Sequence, residues 1–439
     1  MNLMNKSRLF VFGLFLMSVA CTKEVDVSSV PFDEDSTLSS SYSISINDVY
    51  DYLSDPVKTR SQDIRIDPVI TDNDTTLFIV NYDNGWEILS SDRRAPRVFA
   101  KSEYGCFSES DLTSVPALAL LYEHFIENIK YLKTHLDYSV QEDFYEKWDT
   151  TLLNQWTNLS SNGPRSGSNV IVKNHLLQTK WGQGHPWNIR APFTSINYFQ
   201  RCPTGCLPVA MAQFLYYMND YEGIQYSPFV DSFTYKYIPD DADYICLNPG
   251  DVTFFPSTED PDITWQSMPL DSLCVGQSFE AVSTLMIDIG RITNTRYYRT
   301  TAMTDSNQIL SAFVSFLHFD VFVDNVDFDY LSTLIMQDNR PAIIEIGHEE
   351  PLASRSNVHY VVADAMKEYY QDGDRSSVER NKRNAGRYSE LIGRYVQFNW
   401  GQDGQCDDIW LNTDIINWNI QSTNYNSLYI MVYAPELEL

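Results

Sequence analysis

Three observations in the sequence predict an α+β protein with a mostly antiparallel sheet, arranged in two folded units. The chain has 439 residues, more than one hydrophobic core usually organises. Helix-period segments come before a last third made of strand-like runs, the order expected of α+β rather than alternating α/β. Near the N-terminus, two apolar runs flank Asn84-Gly85, the strongest short-range hairpin signal.

Taken in order, the first residues read as an export signal. Lys6 and Arg8 precede an apolar stretch from Leu9 to Ala20, too short to span a bilayer as a helix. Small residues follow and end at Cys21, so residues 1–20 read as a lipoprotein-like signal peptide. Lipid on Cys21 would attach the chain to a membrane. An ordinary secretory signal cut nearby is the alternative, and both readings export the protein. Residues 22 to about 40 are polar and acidic and form a tether. The formal net charge of −28 excludes nucleic acid as a partner, because phosphate binding needs a basic surface.

From 45 to 145 the sequence reads as a small α+β unit without a reactive centre. After the hairpin, "APRVFAKSEYGCF" is a further strand. Over 115–136, Leu118, Leu121, Phe125, Ile129 and Leu132 fall on one helical stripe. Residues 155–170 are rich in Ser, Asn, Gly and Pro and predict a linker open to nicking. Beyond it lies a larger domain. A helix is expected after Cys206, with further helices over 280–293 and 305–317. Strands are expected over 340–347, 359–370, 394–400, 409–413 and 427–434. The charged stretch 371–390 reads as a surface insertion.

Seven cysteines (21, 106, 202, 206, 246, 274 and 406) are too few and too irregular for a disulfide scaffold. Cys202 and Cys206 lack the neighbours that would complete a metal site. Cys206 stands apart for a different reason. A helix N-terminus is one of the few places where a thiol ionises near neutral pH. Gly205 allows a tight turn before it, and Pro208 suits a first helical turn. A nucleophilic cysteine also needs a base and a group to orient that base. Among the histidines, His124 and His135 lie on the amphipathic helix, His318 lies in an apolar run, and His185 and His348 sit in polar loops. His359 opens a strand, where its imidazole would be held rigidly. Asn399 follows 40 residues later; its carbonyl could fix the imidazole tautomer, with the Trp400 indole excluding water. Gln183 lies upstream in "WGQGHPWN" and offers a second oxyanion donor beside the Cys206 N–H.

The segments "WGQGHPWN", "TGCLPVAMAQ", "VHYVVADA" and "FNWGQDG", in that order, resemble the streptopain family of cysteine peptidases, papain-like bacterial enzymes made as zymogens. The stretch "LFIVNYDNGWEILSSDRRAPRVFA" is similar to that family's propeptide. The resemblance implies a papain-like catalytic domain over 166–439, preceded by a small α+β propeptide domain over 22–165 that acts as an intramolecular inhibitor. It implies protein or peptide substrates and no cofactor. Cys206 then matches the nucleophile, His359 the base, Gln183 the oxyanion donor, and Asn399 and Trp400 the Asn-Trp-Gly segment. Val358 stands where the family usually has glycine, and Gln402 where it has a second tryptophan. The implied function is a secreted or surface-anchored cysteine endopeptidase. Two alternatives stay open: an exported binding or inhibitor protein that has lost the chemistry on this scaffold, and a transglutaminase-like acyl transferase with Asp364 orienting the histidine.

Overall fold

The structure is a computed structural model. It describes residues 42–53, 64–135, 168–196, 199–222, 224–227, 237–247, 253–256, 265–274, 278–304, 308–313, 321–347, 358–372, 389–416 and 430–433. The signal and tether, residues 155–167 of the linker, His318, His348 and most of the 371–390 insertion lie outside these residues.

The N-terminal part contains helix α1 (Ile46–Leu53) and strands β1 (Arg65–Thr71), β2 (Asp74–Asn81), β3 (Trp86–Ser90) and β4 (Val98–Ser102). The predicted hairpin joins β2 to β3, with Gly85 at φ +93°. Helix α2 (Pro116–Thr134) starts on a proline, where the missing N–H has no helical partner to lose. Its predicted stripe of Leu118, Leu121, Phe125, Ile129 and Leu132 is buried. His124 is buried as well, within 3.2 Å of the Asn128 amide.

The second part contains β5 (Ser168–Lys173), α3 (Cys206–Glu222), β6 (Ile224–Ser227), β7 (Tyr244–Cys246), β8 (Thr253–Pro256), α4 (Phe279–Ile292), β9 (Arg296–Tyr298), β10 (Ala302–Met303) and α5 (Gln308–Ala312). These are followed by β11 (Phe322–Asn325), α6 (Phe328–Met336), β12 (Ala342–Gly347), β13 (Val358–Asp372), β14 (Ser389–Asn399), β15 (Trp410–Asn412), α7 (Thr413–Ile416) and β16 (Ile430–Tyr433).

Strands of both parts join one antiparallel sheet in the order β1-β2-β3-β4-β15-β14-β13-β12-β16-β11, with β5 alongside β13, while β10-β9-β7 and β6-β8 form two small sheets. The expectation of two separate cores is therefore corrected. Strand β4 pairs with β15, Lys101 opposite Trp410 and Ala100 opposite Leu411. One core cluster contains Leu118 and Phe125 of α2 together with Val361, Phe398 and Trp400. The other face of the sheet carries α3 and α4, where Leu207, Met211 and Leu285 pack with Tyr360 and Val362.

Three local readings differ from the sequence. The linker ends earlier than 170, because β5 begins at Ser168 and pairs with β13. The helix expected over 305–317 is described only as the short α5. Strand β1 adds to the elements read from the sequence; it contains Pro68 and lies at the sheet edge, where a missing N–H costs no ladder bond. Among the described residues the six cysteines are free thiols.

Candidate active site

Helix α3 begins at Cys206. Gly205 precedes it at φ +100°, and a Cβ there would lie 3.3 Å from both Ala302 and Pro208. That backbone conformation disfavours any other residue. The Cys206 thiol is partly exposed and faces the N–H groups of Cys206, Leu207 and Tyr360. Burial pushes the thiol above its ordinary range, the nearby Glu345 carboxylate adds to this, and the three N–H groups pull the other way.

His359 is the second residue of β13, next to Tyr360 in the chain and opposite Ile346 of β12. It is partly exposed, and burial holds its imidazole below the usual range. Strand alternation puts its Cβ on the face of Ile346 and Val361, whereas Tyr360 and Val362 face α3. The nucleophile and base candidates thus reach adjacent backbone positions of one strand end. Among the described residues no hydrogen bond joins the Cys206 thiol to the His359 ring, and burial favours the neutral form of both.

Gln183 is tied to the same turn. Its carbonyl accepts the Thr204 N–H at 3.0 Å, two residues before the thiol. Trp181 and Trp187 of "WGQGHPWN" are buried against α3. The Trp181 indole donates to Pro269 O at 2.6 Å, and the Trp187 indole donates to Asp403. These anchors fix the Gln183 loop and leave Gln183 itself partly exposed.

Asn399 and Trp400 are both buried. Asn399 pairs with Val362 and faces α3. Its Oδ1 accepts from Gln213 of α3 at 2.9 Å and from the Gly401 N–H at 3.1 Å, and its Nδ2 donates to Thr179 O at 2.7 Å. The amide is thus engaged with the helix and two loops, not with the imidazole it was expected to orient. Trp400 lies on the opposite face, edge-on to Phe398, with its indole N–H on Cys406 O at 2.9 Å. It packs into the shared core, on the face that also carries the His359 Cβ. Gly401 then brings the loop against α3: a Cβ there would meet Val209 at 2.9 Å.

Asp364 does not face His359. It sits at a bulge in β13, between Ala363 and Ala365. Its carboxylate holds His175 at 2.8 Å and the Leu177 N–H at 3.0 Å. Nothing in the local sequence marked His175, because its partner is a bulged residue far along the chain.

The Peptidase C10 family model matches residues 181–410, from the first tryptophan of the Gln183 loop to the start of β15. The chain belongs to the peptidase C10 family. It is therefore a cysteine peptidase by family, and the matched span holds Gln183, Cys206, His359, Asn399 and Trp400. A search of curated proteins finds no match. Among solved structures, the chain resembles a Prevotella intermedia prointerpain A fragment carrying a cysteine-to-alanine mutation. The identity is 17% and the TM-score 0.50, over 84% of this chain and 98% of that one. It also matches the active wild-type interpain A cysteine protease of the same organism, at 17% identity and TM-score 0.36, over 60% of this chain and 94% of that one. The likeness to the prointerpain fragment extends over most of this chain and shows the papain-like α+β fold.

Proposed function

We propose that this C10 peptidase is an exported endopeptidase made as a zymogen, with Cys206 as nucleophile, His359 as base and residues 22–165 as propeptide. The observation that carries the reading is the placement of the Cys206 thiol. It lies at the N-terminus of α3, against the backbone of Tyr360 and one residue from His359.

In the reaction His359 takes the proton of Cys206. The thiolate attacks the scissile carbonyl carbon, and the resulting oxyanion is stabilised by the Cys206 N–H and the Gln183 amide. The imidazolium gives its proton to the leaving amine as the C–N bond breaks, leaving a thioester. Water, deprotonated by His359, then releases the acid and restores the thiol–imidazole pair. Gln183 suits the donor role because its loop is fastened to Thr204 while its side chain stays accessible. Asn399 and Trp400 serve as positioning residues, holding the end of β14 to α3 and to the shared core.

The neutral, unbonded pair supports latency. The His359 Cβ lies on the sheet face whose core is shared with α2, so release of the N-terminal segment frees that side of β13. The imidazole then turns about the strand end onto the thiol. The export signal and the lipid on Cys21 belong to this proposal on sequence grounds alone.

The neutral pair also favours a second reading, in which the site stays silent and the protein binds without cutting. Iodoacetamide alkylation, mapped by mass spectrometry before and after limited proteolysis, separates the two. The zymogen reading expects Cys206 to become the fastest-reacting thiol once the linker is cut, with casein hydrolysis appearing in the wild type and absent in Cys206→Ala. Alkylation of Cys206 that stays slow after the cut, without casein hydrolysis, overturns it.

A further inference from the structure

His175 follows β5 by two residues, just beyond the segment read as the linker. Its Nδ1 lies 2.8 Å from Asp364 Oδ1, and the Asp364 side chain is fully buried. The backbone carbonyl of Asp407 also faces the ring. Asp364 is spent on this one segment: its Oδ2 accepts the Leu177 N–H and its carbonyl the Leu176 N–H. Asp407 in turn accepts the Trp400 N–H at 3.1 Å. One chain of contacts therefore runs from the start of the catalytic domain, through a bulge in β13, to the loop that carries Trp400. Bulges commonly re-aim a side chain next to a working site.

We propose that His175, paired with Asp364, is a positioning residue for the site: it clamps the Asp407 end of the Trp400 loop to β13. This rests on the reading of Cys206 and His359 as the reacting pair. The charged groups acting on the ring are Asp364 of β13 and Asp407 of the loop after β14, and Lys180 of the segment before α3 acts in turn on Asp407. The Cys406 thiol, beside Asp407, stays neutral because burial raises it. Burial alone would lower the His175 imidazole, but the Asp364 bond and charge, with the Asp407 carbonyl, outweigh it and hold it above the usual range. The clamp is then closed in acid and opens as pH rises through the raised value.

The test compares the wild type with His175→Gln and Asp364→Asn, using full-length chains activated by limited proteolysis. Casein hydrolysis is measured from pH 5.5 to 8.5, with far-UV circular dichroism as the fold control. His175→Gln can keep one neutral bond but cannot titrate. At pH 6 its kcat is expected roughly fivefold or more below wild type, the low end of couplings between linked sites, with KM little changed. As pH rises through the His175 titration, the two should converge. Asp364→Asn should lower the His175 titration midpoint, read by NMR of carbon-labelled imidazole. If no chain hydrolyses casein, the functional reading fails, and the pH profile of Cys206 alkylation reads the clamp in its place. Parallel profiles for wild type and His175→Gln at every pH, or an unmoved midpoint in Asp364→Asn, overturn the clamp.

Discussion

Asp407→Asn isolates a buried carboxyl of the loop that follows Trp400. Asp407 is 8% exposed. Burial, with the Asp364 charge, pushes it from 3.8 up to about 7, against the Trp400 N–H, His175 and Lys180. The unfolded chain ionises this group near 3.8 and the folded chain only near 7. The folded state thus binds the extra proton, and stability falls as pH rises through that window. At about 1.36 kcal/mol per tenfold change in proton affinity, the whole effect is roughly 4 kcal/mol. About 2 kcal/mol of it falls between pH 5.5 and 8.5. Asparagine can still accept from the Trp400 N–H but cannot ionise. Urea unfolding followed by tryptophan fluorescence at both pH values should show Asp407→Asn gaining about 2 kcal/mol on the wild type from the lower to the higher pH. A difference between the two proteins that does not change with pH refutes the burial argument.

Asn399→Ala removes partners from Gln213, Gly401 and Thr179. Calorimetry should show a loss of about 3 kcal/mol, while the pH profile of hydrolysis keeps its shape because Asn399 does not bond His359. Gly205→Ala forces a side chain into φ +100°; a cost of about 1–3 kcal/mol and slower alkylation of Cys206 are expected. Lys101 donates to the Tyr369 hydroxyl at 2.9 Å and lies 4.3 Å from the Tyr395 ring centre. Lys101→Met should lower stability by roughly 1–3 kcal/mol, nearly independent of salt because the ammonium lies against two buried tyrosine rings, as urea midpoints at low and high ionic strength will show.

Wherever side-chain period carried the signal, the elements were legible. The α2 stripe, the Asn84-Gly85 hairpin and the apolar runs of β12 to β16 follow from spacing alone. The Gly205-Cys206-x-Pro208 start of α3 was legible for the same reason: turn and cap chemistry is local. What escaped depends on distant pairing. Lys101 reads as an ordinary strand cation until β15 supplies Trp410 opposite it. Asn399 carries the same letter whether its amide meets an imidazole or Gln213 of α3, and only the face of β14 decides. His175 and Asp364 are joined through a bulge, which shifts the face of a side chain without any mark in the pattern of apolar residues.

The pairing of β4 with β15 has a consequence for any cut that frees the N-terminal segment. Strand β15 is interior only because β4 covers its ladder groups, Lys101 covers the Tyr369 and Tyr395 rings, and the Asn412 side-chain amide finds Val98 O. Departure of that segment bares a row of backbone donors and acceptors next to aromatic faces, a template for any extended chain that can supply a strand. A chain freed of that segment would have to find that border a new neighbour or leave it to water.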